Sequence, residues 1–65
     1  MDRREWKKRF TARYKQLTSE PPPWLRDAAI VAANEQEDLH GPSGVAWESP
    51  EAAAERIVEE EAEDD

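Results

Sequence analysis

Arg3-Arg4-Glu5-Trp6-Lys7-Lys8-Arg9-Phe10-Thr11-Ala12-Arg13-Tyr14-Lys15-Gln16-Leu17 decides how the rest of this 65-residue chain is read. Trp6, Phe10, Tyr14 (or Arg13) and Leu17 recur at i, i+4, i+8 and i+11, which is one stripe of an α-helix. Lys7, Lys8, Arg9 and Lys15 fall largely off that stripe. Just upstream, Asp2 followed three residues later by Glu5 forms a capping-box pattern, with Met1 and Trp6 at the two positions of a hydrophobic staple. The helix therefore spans about residues 3–17. Thr18-Ser19-Glu20 and Pro21-Pro22-Pro23 end it, because a residue before proline avoids the α region and proline has no amide donor.

Beyond the prolines, Pro23 can serve as the first residue of a second helix, predicted over 23–37. Trp24, Ala28, Val31 and Ala32 line one face, Leu25, Ala29 and Ala33 extend it, and Ile30 widens it. So broad an apolar surface predicts the central, most buried helix. Leu39-His40-Gly41-Pro42-Ser43-Gly44 reads as the break. Val45-Ala46-Trp47 is too short for an independent strand and is expected to be a loop pinned by Trp47. Ser49 as N-cap, Pro50 at the first position and Glu51 in the first turn begin a third helix over 50–61. Ala53, Ala54, Ile57 and Val58 form its narrow apolar face, and residues 62–65 read as a frayed acidic tail. The expectation is an all-α, single-domain, small three-helix protein with an acidic C-terminal tail.

The apolar content of 37% overstates the core, since ten of those 24 residues are alanine. Fourteen larger side chains remain, and at roughly 150–250 Å² buried per large aromatic, Trp6, Trp24 and Trp47 are expected to dominate. With no cysteine and a single His40, there is neither a disulfide framework nor a Cys/His zinc site. The longest apolar run, Ala28 to Ala33, is far short of the roughly 20 residues that cross a bilayer. The first residues have no apolar stretch behind their charges, so no signal peptide is expected and a cytoplasmic location, in a host cell, is.

Catalysis is not expected: His40 lacks a nucleophile and an orienting partner in the sequence, and Gly-Pro-Ser-Gly around Ser43 is turn chemistry. The tail lacks the spaced ligands and turn glycine of a calcium loop, so neither metal nor cofactor is expected. Charge is more informative. Residues 1–20 carry a net +4, residues 21–40 a net −3 and residues 41–65 a net −8. Such asymmetry points toward electrostatic partners. Arg3, Arg4, Lys7, Lys8, Arg9, Arg13 and Lys15, with Trp6 and Tyr14 interleaved, could hold a phosphate backbone, or could pair with the chain's own acids. Glu48, Glu51, Glu55 and Glu59 are spaced by three or four and so are expected to project from one side. With Glu60 they form a candidate partner-binding row, either imitating nucleic-acid phosphates or simply maintaining solubility.

Glu5-Trp6 with Arg9-Phe10 and Arg13, the proline-started middle helix with Ala28, Ala29 and Ala32, and Ser49-Pro50-Glu51-Ala52-Ala53 before an acidic end resemble small acidic proteins encoded by phages and prophages. In size and charge the chain resembles the anti-CRISPR inhibitors, several of which are acidic helical proteins that block DNA loading. The resemblance implies a monomeric inhibitor docking on a basic nucleic-acid-binding host protein complex, in particular a type I CRISPR surveillance complex. Glu48, Glu51, Glu55, Glu59 and Glu60 would be its phosphate surrogates. The alternative is a phage structural or assembly accessory that packs its apolar helix faces on a partner. Direct nucleic-acid binding through the first helix is a third reading.

Overall fold

The computed structural model describes residues 2–62, of which Ala62 is placed by its backbone alone. Three helices follow one another, α1 (Arg3–Leu17), α2 (Leu25–His40) and α3 (Pro50–Ala62), with no strand among the described residues. None of them is long and apolar enough to cross a membrane.

Helix α1 has the predicted bounds. The Asp2 carboxylate accepts the Arg4 amide at 3.2 Å, and the Asp2 carbonyl accepts the Trp6 amide at 2.9 Å. Met1, the other half of the proposed staple, lies outside the described residues. Trp6, Phe10 and Tyr14 are buried along the predicted stripe. Leu17, the last residue of that stripe, is exposed.

Helix α2 is shifted from its predicted span of 23–37 at both ends. Pro23 is part of a turn rather than the first helical residue: the Leu25 amide folds back onto the Pro22 carbonyl at 3.1 Å, and Trp24 occupies the N-cap without a side-chain bond. At the other end Asp38, Leu39 and His40 stay helical, and the chain leaves only at Gly41, whose amide donates to the Glu37 carbonyl at 2.8 Å. Gly41 has φ 87° and ψ 169°, a conformation essentially restricted to glycine. A Cβ there would meet no atom within 4 Å, so the penalty is purely one of backbone strain. Gly41→Ala is expected to lower stability by about 1–2 kcal/mol, measured as a reduced urea midpoint with an unchanged slope.

Helix α3 starts as its sequence indicates. Ser49 Oγ accepts the Ala52 amide at 3.1 Å, the Ser49 carbonyl accepts the Ala53 amide at 3.0 Å, and Pro50 is buried at the first position. The helix includes Ala62, one residue past the predicted end, and the rest of the expected frayed tail lies outside the described residues. Between α2 and α3 the loop is pinned as predicted. Trp47 Nε1 donates to the Gly41 carbonyl at 2.7 Å, and its ring meets Trp6 nearly perpendicularly at 5.8 Å between centroids.

The helices run up, down and up. Arg3 at the start of α1 meets Glu37 near the end of α2, whereas Arg9 and Arg13 meet Glu51 and Glu55 in parallel order along α3. The central element is α1, not α2. Helix α1 packs against both others, most extensively against α3. The reason is side-chain size. The Trp6, Phe10 and Tyr14 rings of α1 fill the space between the helices, while α2 and α3 answer with Ala29, Ala32, Ala33, Ala53 and Ala54, which bring their backbones close.

The buried face of α2 is Leu25, Ala29, Ala32, Ala33 and Gln36. Of the face predicted from Trp24, Ala28, Val31 and Ala32, Ala32 is buried and Ala28 half-buried, whereas Trp24 and Val31 are turned outward. Val31 is 62% exposed, and Trp24, expected in the core, is 46% exposed. Burying Trp24 and Val31 would hold α2 away from the α1 rings, whereas an alanine face allows close approach. Phe10 and Tyr14 take the core position expected for Trp24.

Candidate functional site

The five carboxylates singled out from the sequence do not form one free row. Arg9 grips Glu51 through two bonds, Nε to Oε2 at 3.0 Å and Nη2 to Oε1 at 2.7 Å. Arg13 pairs with Glu55 at 3.1 Å. On the opposite flank of α3, Arg56 pairs with Glu48 at 3.1 Å and with Glu60 at 3.8 Å. Of the five, Glu59 alone forms no ion pair with another described residue. The periodicity of 3.6 residues accounts for the division. Glu51 and Glu55 drift along the edge facing α1, Glu59 continues outward, and Glu60 falls beside Arg56 on the far edge.

Glu48 is structural in several ways at once. Its carbonyl accepts the buried Trp6 indole at 2.8 Å, and its amide donates to Gln36 Oε1 at 2.9 Å. Its carboxylate takes the Arg56 bond and a long contact from Gln36 Nε2 at 3.5 Å. The hydrogen bond that Arg56 donates to Glu48, opposed by desolvation and aided by the charges of Glu48, Glu60 and Glu35, holds the Arg56 guanidinium still further from neutrality than usual. Gln36, the one buried polar residue described, was not evident as a key residue from composition. Its spacing of i+11 from Leu25, i+7 from Ala29 and i+3 from Ala33 is the signal that could have placed it inward.

Three of the seven cations of α1 are paired, while Arg4, Lys7, Lys8 and Lys15 form no ion pair with a described residue. Arg3 donates to Glu37 at 2.8 Å and also bonds Asn34, while Arg9 and Arg13 are held by α3. Trp6 and Tyr14 are buried, so neither ring can stack on a nucleic-acid base. His40 is exposed at the last position of α2. Among the described residues no group of three or more His, Asp or Glu side chains is arranged to hold a metal ion.

Where α1 ends and α2 begins, a cleft of about 340 Å³ is lined by Tyr14, Thr18, Glu20, Pro22, Trp24, Val58 and Glu61. Tyr14 Oη donates to Glu61 Oε2 at 2.5 Å. Burial first, then this bond and the Glu61 charge, push the Tyr14 phenol up to about 12. The folded state keeps the proton that the unfolded chain releases near the ordinary tyrosine value of 10.0. This stability is fully present below pH 10 and is lost as pH rises through 12. The expected loss is about 2 kcal/mol between pH 9 and pH 12. Urea titrations of the natural chain and of Tyr14→Phe across that window check it, since only the natural chain should show this component.

Compared with protein families, characterised proteins and solved structures, the chain gives no match.

Proposed function

We propose that the protein is a non-enzymatic, phage-type inhibitor that binds as a monomer to a basic nucleic-acid-binding host complex. A type I CRISPR surveillance complex is the specific target, as the sequence resemblance to anti-CRISPR proteins implies. The observation that supports this reading is the division of its charge. Arg9 and Arg13 of α1 and Arg56 of α3 are paired internally, with Glu51, Glu55, Glu48 and Glu60, while Asp27, Asp38 and Glu59 are exposed and form no ion pair with a described residue. The protein is a net −7. Its field therefore draws basic surfaces and speeds association.

On this reading Glu59, with Glu60 at its edge and the outward acids of α2, carries the contact. Glu48, Glu51 and Glu55 hold the domain together instead. The test uses a purified type I surveillance complex and its double-stranded target at about 150 mM salt, where weak surface attraction is already screened. The inhibitor should compete with the duplex. Reversal of Asp27, Asp38 and Glu59 to lysine should remove competition, while Glu51→Gln, which sacrifices an exposed pair worth less than about 1 kcal/mol, should leave it intact. A duplex that loads normally in excess inhibitor would defeat the proposal.

One observation favours the accessory reading as well: Val31 and Leu39 of α2 are 62% and 66% exposed. A phage structural partner covering them would respond to Val31→Ser with Leu39→Ser and be indifferent to the charge reversals.

A further inference from the structure

Trp24 and Tyr14 both line the cleft at the α1–α2 end of the bundle and pack edge to face, 76° apart with centroids 6.4 Å from one another; Tyr14 is buried, so Trp24 offers the accessible ring face. Trp24 is a large aromatic left 46% exposed at a helix start, where it makes no capping bond. Val58 and Pro22 close the apolar lining. The polar lining has one sign of charge: Glu20 and Glu61 are both carboxylates, and among the described residues no lysine or arginine lines the cleft. Tyr14 Oη occupies Glu61 Oε2, which fixes that carboxylate against the ring, and the Thr18 hydroxyl donates to the Glu20 carbonyl at 3.4 Å.

An exposed indole face, with carboxylates beside it, suits a cation carried on an apolar stem. The indole quadrupole of Trp24 attracts the charge, the carboxylates add to the field, and the apolar lining covers the methylenes. Phosphate and carboxylate ligands meet repulsion there. We propose that this cleft is a recognition site for a lysine or arginine side chain presented by the protein's partner. The proposal rests on the reading that the partner surface is basic. It adds a defined anchor, since a side chain seated in the cleft fixes register, which diffuse charge attraction does not. The shared chemistry is an alkylammonium or guanidinium head, available from a small free cation or from a side chain on a polypeptide.

The experiment follows the three indole N–H resonances of the natural chain, assigned with Trp24→Phe and Trp47→Phe. The probes are tetramethylammonium chloride, Nα-acetyl-lysine amide and Nα-acetyl-arginine amide, against sodium chloride at equal ionic strength. The expected result is a saturable shift of the Trp24 indole, at ~millimolar concentrations of the blocked lysine or arginine, with Trp6 and Trp47 unmoved. Glu20→Gln, an exposed change that disturbs no packing, should weaken the interaction at least threefold. Trp24→Ala should abolish the response at the Tyr14 ring signals. A Trp24 shift no different from that in sodium chloride would overturn the site. Saturation by tetramethylammonium with none by either blocked amino acid would overturn its assignment to a polypeptide side chain. No partner is present in this titration, so it fails or succeeds independently of the duplex-competition assay.

Discussion

Trp6→Ala is expected to abolish folding of the isolated domain. The ring is 1% exposed, stacks on Phe10 at 5.5 Å, meets Trp47 edge-on at 5.8 Å and donates through Nε1 to the Glu48 carbonyl. Truncating such a residue costs about 3–5 kcal/mol through lost transfer energy and the cavity left behind. The lost indole bond adds an orphaned carbonyl. A 65-residue domain without cysteine has no staple to compensate, and chains of this size carry only a few kcal/mol of net stability. Far-UV circular dichroism at 25 °C should show loss of most of the helical signal. Trp24→Ala is the matched control, because that indole is half exposed and lies at the edge of the core. A Trp6→Ala variant that melts cooperatively near the natural temperature would mean that the aromatic stack is not what organises the three helices.

This expectation was partly legible in the sequence and partly not, for identifiable reasons. The α1 stripe declared itself because large aromatics at i, i+4 and i+8 leave one helical face unambiguous, and the polar positions between them are charged. The N-terminus of α3 was equally plain, since Ser49, Pro50 and Glu51 each satisfy a different local requirement of a helix start. Helix α2 was harder to orient. Its sequence is apolar around most of its circumference, so periodicity alone allows several inward faces. The choice was made by tertiary fit: alanines were turned toward the α1 rings and Trp24 and Val31 outward. The same ambiguity made α2 look like the central helix. Number of apolar residues was a poor guide to burial when so many were alanine.

The candidate site shows a related limit. Spacing placed Glu48, Glu51, Glu55 and Glu59 near one another, but it carried no information about which cations lie opposite. Arg9 and Arg13 are 42 residues from their partners Glu51 and Glu55. Only the parallel packing of α1 on α3 brings them into register. The bland possibility that the basic helix pairs with the chain's own acids was visible from the charge distribution, and it is what the folded chain displays along this flank. The cleft beside Trp24 was illegible because it draws on α1, the proline turn and α3 together.

Gln36→Leu is expected to cost about 3 kcal/mol despite conserving size and helix propensity. Gln36 is 3% exposed and spans from α2 to Glu48, two residues before α3. Its Oε1 accepts the Glu48 amide at 2.9 Å and its Nε2 approaches Glu48 Oε1 at 3.5 Å. Leucine would satisfy the apolar neighbours but leave the Glu48 amide unpaired and press a methyl against its carboxylate. An unsatisfied donor of this kind costs about 1–3 kcal/mol, and the effect spreads because Glu48 also receives the Trp6 indole and Arg56. Glu48→Gln should be milder, since it removes charge while the backbone groups that hold Trp6 and Gln36 remain. The measurement is a pair of urea unfolding curves, with the Glu48 amide followed by hydrogen exchange. Fast exchange at Glu48 in Gln36→Leu, with slow exchange retained in Glu48→Gln, would place the join between α2 and α3 in this one side chain. Equal protection in both variants would assign the join to Trp47 and the loop instead.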